Sequence, residues 1–203
     1  MNRILNIVLI IIIAASLVAI GIAFLQKPAE EVDSGVTVVE APEQSKAQRP
    51  PCFPDPEANF IPMPETTNLA QGKPVLSGEH TDVYVDSNVN DGKTDTYWES
   101  KGFPAEMVIE LEGSFKISTV AVRLNPSAIW EARTQEIAVQ VSTDGGSYKE
   151  IVPATRYGFD PETGNRIRID FDTTEASYVK LIFTMNSSSR TGGAQAAEIE
   201  VYE

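Results

Sequence analysis

Basic residues, cysteine and histidine are scarce in this chain, and each scarcity removes a class of chemistry. Of 203 residues, 16 are Lys or Arg against 29 Asp or Glu, a formal net charge of −13. Non-specific nucleic-acid affinity comes from cations that neutralise phosphates, so this balance argues against a nucleic-acid partner. The lone cysteine, Cys52, permits no intrachain disulfide and no cysteine-based zinc site, and the lone histidine, His80, excludes the paired-His metalloprotease motif. Any bound metal must then be held by oxygen. Also missing are a nucleophile elbow, a phosphate-binding loop and a dinucleotide fingerprint, so the chain reads as a non-enzyme.

The residues that are present fall into three segments. Residues 4–24 form an uncharged run of 21 in which only Asn6 and Ser16 are polar. As a helix rising 1.5 Å per residue, the run covers the ~30 Å hydrocarbon core of a bilayer. A cleaved signal peptide is the alternative, but its apolar stretch is normally only ~7–15 residues, so 1–25 is read as a transmembrane anchor. Arg3 precedes the run, while Glu30, Glu31 and Asp33 outnumber Lys27 after it, which places the remainder on the extracytoplasmic side. Residues 26–66 carry eight of the 13 prolines among Glu, Ser, Gln and Ala, too little apolar surface to offset ordering entropy, and are read as a disordered, flexible linker. Cys52 lies in that linker, either as an idle thiol or as the site of an intermolecular disulfide that would join a homodimer.

Residues 67–203 alternate apolar and polar positions in short runs. Met107, Ile109 and Leu111 interleave with Val108, Glu110 and Glu112; Ile137, Val139 and Val141 precede the turn signal Asp144-Gly145-Gly146; Ile167, Ile169 and Phe171 interleave with Arg168, Asp170 and Asp172. Further runs are Val120–Leu124, Tyr178–Met185, and Ile199 with Val201. A period of two marks half-buried strands, so at least six strands are expected, with no amphipathic helix. The fold class is all-β: an antiparallel β-sandwich or jelly roll.

The most informative cluster is Asn88-Val-Asn-Asp91-Gly92-Lys-Thr-Asp95-Thr96-Tyr-Trp98. An Asp followed by Gly, with Thr five positions after the Asp, can curl so that carbonyl and side-chain oxygens converge as Ca²⁺ requires; a capped polar turn is the other reading of the same spacing. No Glu stands at the twelfth position, so the loop is not an EF-hand. This cluster, with Asn68-Leu-Ala-Gln-Gly-Lys-Pro74, Val139-Gln-Val-Ser142-Thr-Asp144-Gly145 and Ala197-Glu198-Ile-Glu-Val201-Tyr202, resembles the discoidin (coagulation factor V/VIII type C) domain, and within it the family-32 carbohydrate-binding modules. The resemblance covers residues 67–203. It implies a discoidin-like jelly roll whose termini lie close together and whose first loop and last strand share a structural Ca²⁺. The ligands so implied are the carbonyl of Asn88, the carboxylate of Asp91, the carbonyl of Lys93, the hydroxyl and carbonyl of Thr96, the carbonyl of Ala197 and the carboxylate of Glu198.

The resemblance also implies a glycan site in the loops at one end of the sandwich. Galactose-binding members carry a His directly after the Trp, where this chain has Glu99, and an Arg after the following Pro, where it has Ser127. The candidates for ligand contact are Trp130, Arg133, Glu99, Phe103, Asn125 and Asn186, with His80 and Tyr84 in the first long loop, and Trp98 is expected in the core. The expected function is that of a surface-displayed, lectin-like carbohydrate-binding module, anchored through the N-terminal helix, whose partner is a glycan or glycoprotein. The alternatives are an adhesion module for protein or phospholipid, and a purely structural surface domain. Over 67–203 the chain has 12 basic and 21 acidic residues, which disfavours anionic lipid.

Overall fold

Alternation in sequence becomes alternation of burial. A computed structural model describes residues 57–203; the apolar run 4–24, Cys52 and most of the proline-rich segment lie outside the described residues. The strands are β1 (Val75–Ser77), β2 (Trp98–Glu99), β3 (Ala105–Arg123), β4 (Arg133–Ser142), β5 (Lys149–Phe159), β6 (Arg166–Asn186), β7 (Gln195–Ala196) and β8 (Glu198–Tyr202). Short 3-10 turns occupy Asp86–Asn90, Ala128–Trp130 and Pro161–Thr163. Among the described residues no helix is long and apolar enough to cross a membrane. Met107, Ile109, Leu111, Ile137 and Val139 are fully buried, whereas Glu106, Arg168 and Asp170 on the opposite parity are exposed.

All pairings are antiparallel, and the main sheet runs β1-β3-β6-β4-β5 with β8 added to β3. The first half of β3 pairs with β1 and with the second half of β6; its second half pairs with β8 and with the first half of β6. Register shifts between Glu110 and Phe115 and between Ile117 and Thr119 mark the bend, where Glu112 takes φ 56°. Bulges of this sort bend a strand while keeping its ladder. Both long strands thereby pass from one layer of an antiparallel β-sandwich to the other, and one cluster of buried side chains fills the space between. Four of the runs read as separate strands are in fact the two halves of β3 and the two halves of β6.

The ends of the domain meet. Leu69 N–H donates to the Val201 carbonyl at 2.8 Å, and Val201 N–H donates to Asn68 Oδ1 at 3.0 Å. The last residues of the segment read as linker also touch the sandwich. Ile61 N–H donates to the Thr163 carbonyl at 3.1 Å, and the Arg166 guanidinium lies 4.8 Å from the Phe60 ring centre.

Candidate functional site

The short ribbon of β2 with β7 organises the site. Trp98 pairs with Ala196 and Glu99 with Gln195. Because side chains alternate along a strand, Trp98 goes into the core at 0% exposure, beside Phe183 at 5.6 Å, while Tyr97 and Glu99 face the other way. There they meet the Ala128–Trp130 turn and the first residues of β4. Tyr97 stacks on Tyr84 at 4.2 Å and meets Trp130 edge-on at 4.7 Å, and the Arg133 guanidinium sits 5.1 Å from the Trp130 ring, within cation–π range. Tyr97, Glu99, Ile129, Trp130, Arg133, Arg190 and Gln195 line a cavity of about 300 Å³.

The polar groups of this cavity are held in place. Gln135 clamps Gln195 by accepting from its backbone N–H at 2.9 Å and donating to its carbonyl at 2.8 Å. Gln195 accepts from Arg133 Nη1 and donates to Glu99 Oε2 at 2.7 Å. Arg190 reaches Glu131 Oε1 at 2.8 Å across the rim. Arg133 is only 8% exposed, and burial lowers its pKa from the ordinary value, opposed by Glu131 and assisted by Arg190. Tyr97 is pushed up by burial and then by the Tyr84 hydroxyl, so it stays a neutral donor. The result is a dry guanidinium and a carboxylate joined through an amide, beside a half-buried indole with exposed Ile129 (70%) on its rim. Such a constellation can stack an apolar ring face and exchange several hydrogen bonds with hydroxyls.

Of the sequence-derived candidates, Trp130, Arg133, Glu99 and Tyr84 come together here. Phe103 does not: it lines a separate cavity of about 480 Å³ with Ser100, Lys101 and Trp98, on the opposite side of the ribbon. His80 goes with that side too, through a lone bridge to Ser100. Asn125 is spent on the backbone, its Oδ1 accepting from Ser127 N–H at 2.9 Å and its carbonyl from Asn165 Nδ2 at 2.7 Å. Asn186 folds the 187–194 loop by donating to the Gly193 carbonyl at 3.2 Å and accepting from Ser188 N–H at 3.0 Å. Sequence reasoning missed Tyr97, Gln195 and Arg190. Tyr97 was recoverable, since a buried Trp98 in a strand turns both of its neighbours outward.

At the Asp91 loop, Glu198 Oε1 of β8 accepts the backbone N–H groups of Gly92 at 2.8 Å and Lys93 at 2.9 Å. Asp91 accepts from Lys93 N–H at 2.9 Å and from the Thr96 hydroxyl at 2.8 Å, while Asn88 Nδ2 donates to the Tyr97 carbonyl at 2.8 Å. The Lys93 carbonyl faces the Thr96 hydroxyl at 3.5 Å, and Ala197 N–H is tied to the Arg123 carbonyl at 2.8 Å. Burial pushes the Glu198 carboxyl up to about 8 against the two N–H groups that hold it down, and the Asp91 carboxylate beside it pushes the same way. Among the described residues no three His, Cys, Asp or Glu side chains converge, so two carboxylates among neutral oxygens are the whole acidic complement.

Residues 88–181, from the Asp91 loop into the second half of β6, match the family described as the F5/F8 type C, NedA-like, galactose-binding domain. Over that stretch the sandwich of this chain is similar to the F5/F8 type C family. Solved structures share the fold. A Clostridium perfringens module, CpGH89CBM32-5, in complex with GalNAc-β-1,3-galactose, is 24% identical, covering 68% of this chain and 100% of its own at a TM-score of 0.56. Chitosan-binding module 1 of a chitosanase/glucanase from Paenibacillus sp. IK-5 is 21% identical over 68% of this chain and 100% of its own, with a TM-score of 0.55. A pectin-binding carbohydrate-binding module is 19% identical over 66% and 92%, with a TM-score of 0.56. The sandwich here thus shares its fold with modules whose own ligands are several different glycans.

Proposed function

We propose that this sandwich is a non-catalytic carbohydrate-binding module that takes a glycan in the Trp130 cavity. The observation that carries the reading is the half-buried Trp130 indole beside the linked Arg133, Gln195 and Glu99. The ring offers an apolar platform and the linked groups offer both donors and acceptors in fixed positions, the usual make-up of a small-ligand site. Glycan-bound relatives of the same fold support it. The apolar run 4–24 would hold the module at a membrane with the sandwich displayed on the extracytoplasmic side, and the partner would be a glycan or glycoprotein.

A structural Ca²⁺ completes the proposal. Asp91 and Glu198 would supply the charge, and Asn88, Lys93, Thr96 and Ala197 neutral oxygens. The fit rests on two facing carboxylates, of which Glu198 is buried and has its ionisation opposed by that burial; a divalent cation relieves that opposition. Its contribution would be to staple the loop to β8, with no part in chemistry.

A glycan array probed with the full chain in mild detergent tests the reading. Binding to a defined set of glycans, reduced tenfold or more by Trp130→Ala with the thermal melt unchanged, is the expected result. A silent array combined with binding to liposomes or to a protein partner would replace the lectin reading with the adhesion one.

A further inference from the structure

The outer face of the sheet carries a second groove, which shares no lining residue with the ribbon site. Register aligns Leu76 of β1 with Val108 of β3, Val108 with Lys180 of β6, and Glu110 of β3 with Tyr178 of β6. These residues have outward parity, opposite to Met107, Ile109, Val179 and Leu181, which fill the core. With Tyr148 and Glu106 they line a cavity of about 420 Å³. Leu76 is 68% exposed, although an apolar side chain gains nothing from water, and Val108 and both tyrosines are only half-buried. A volume of this size suits a small ligand better than a protein surface.

The charges of the groove are unbalanced. Lys180 is its single cation, and it is already committed: its ammonium sits 4.1 Å from the Tyr148 ring centre and 3.3 Å from Glu106 Oε2. Glu110 accepts from the Tyr178 hydroxyl at 3.1 Å, and no ion pair satisfies it among the described residues. Asp144 adds a further negative charge close enough to act on both tyrosines. A neutral sugar would leave the Glu110 charge without a counter-charge; a protonated amine would meet it directly.

We propose that this groove is a second saccharide site, selective for amino sugars with a free amine. The ring lies on Leu76, Val108 and the edge of Tyr178, and its ammonium pairs with Glu110. The site is independent of the Trp130 cavity, so the chain would hold two different saccharide units on two faces.

Calorimetric titration of the full chain in mild detergent with a glucosamine tetramer, and with the N-acetylated tetramer, tests it at slightly acid pH, where the amine is charged. The amine tetramer should bind, and the acetylated one should bind at least tenfold more weakly, because acetylation removes the charge. Glu110→Gln, which keeps shape and an acceptor for Tyr178, should weaken the amine tetramer at least tenfold. The surface control Glu162→Gln should leave it within twofold. Equal binding of both tetramers, equal loss in Glu110→Gln and Glu162→Gln, or no binding at all would each overturn the proposal, as would a lysine-rich peptide that binds the groove more tightly than the tetramer. Failure of the Trp130 cavity reads out separately, on the array.

Discussion

Gly193 stands where no side chain fits. A β-carbon there would lie 1.8 Å from the Ser100 carbonyl oxygen and 2.8 Å from the Ser100 hydroxyl, which itself accepts from Ala194 N–H at 2.8 Å. This close approach is what delivers the next residues, Gln195 above all, to the cavity. Gly193→Ala must therefore push the 187–194 loop off the β2 ribbon. We expect it to cost about 1–3 kcal/mol, the usual range for overpacking, read as a lower urea midpoint at unchanged slope. We also expect it to weaken glycan binding more than its stability cost alone would. A loss below about 0.5 kcal/mol would mean that the loop yields freely and does not position Gln195. Neither the glycine's role nor the Gln195–Glu99 bond was legible in the sequence, because both depend on which distant strand lies alongside. Trp130 and Arg133 were legible as types in a loop; that they touch each other was not.

At the scale of elements, strands with one wet face announced themselves and edge strands did not. β4 alternates in residue type, with Ile137, Val139 and Val141 in the core and polar or small residues between them, whereas β5 is exposed along most of its length and gave no period-two signal. The length of β3 and β6 was also hidden: Gly113 stands where the alternation calls for an apolar residue at the bend, yet the ladder continues past it. The turn between β4 and β5 was legible from Asp144-Gly145-Gly146, and the structure explains its first residue. Asp144 accepts backbone N–H groups from Ser147 and Gly146, each at 2.9 Å, and its Oδ1 accepts the Ser142 hydroxyl at 2.9 Å. These bonds, the backbone ones first, hold its carboxyl below the usual Asp value. A depressed acid stabilises the fold above the unfolded-state pKa, ~3.9, and the benefit disappears as pH falls through the lower folded value. An NMR titration should place the Asp144 midpoint below that of a model peptide, with the amides of Gly146 and Ser147 losing exchange protection over the same interval. A midpoint at the peptide value would show that the turn is set by its glycines alone.

For the molecule as a whole, the question is how a sandwich whose two longest strands are shared between layers keeps its ends closed. One closure is the Leu69 N–H on the Val201 carbonyl together with the Val201 N–H on the Asn68 side-chain oxygen. The other is the junction of the Asp91 loop with Glu198, which brings together residues from the first and last parts of the domain. That meeting came from family resemblance, since nothing in the local spacing of Asp91 points to position 198. It is also where charge works against the fold, with two carboxylates side by side and one of them buried. If Ca²⁺ occupies the junction, it stabilises the folded state by mass action, about 2.7 kcal/mol at a hundredfold excess over its dissociation constant. For a domain of this size that corresponds to roughly 5–11 °C in melting temperature. Chelation of the full chain should therefore lower the melt by several degrees, and added Ca²⁺ should restore it where Mg²⁺, smaller and less readily dehydrated, does not. Asp91→Ala should begin near the chelated value and ignore both chelator and Ca²⁺, because one of the two charges that hold the ion is gone. A wild-type melt indifferent to chelator and to Ca²⁺ would mean that the two N–H groups on Glu198, with a proton taken up between the carboxyls, close the junction unaided.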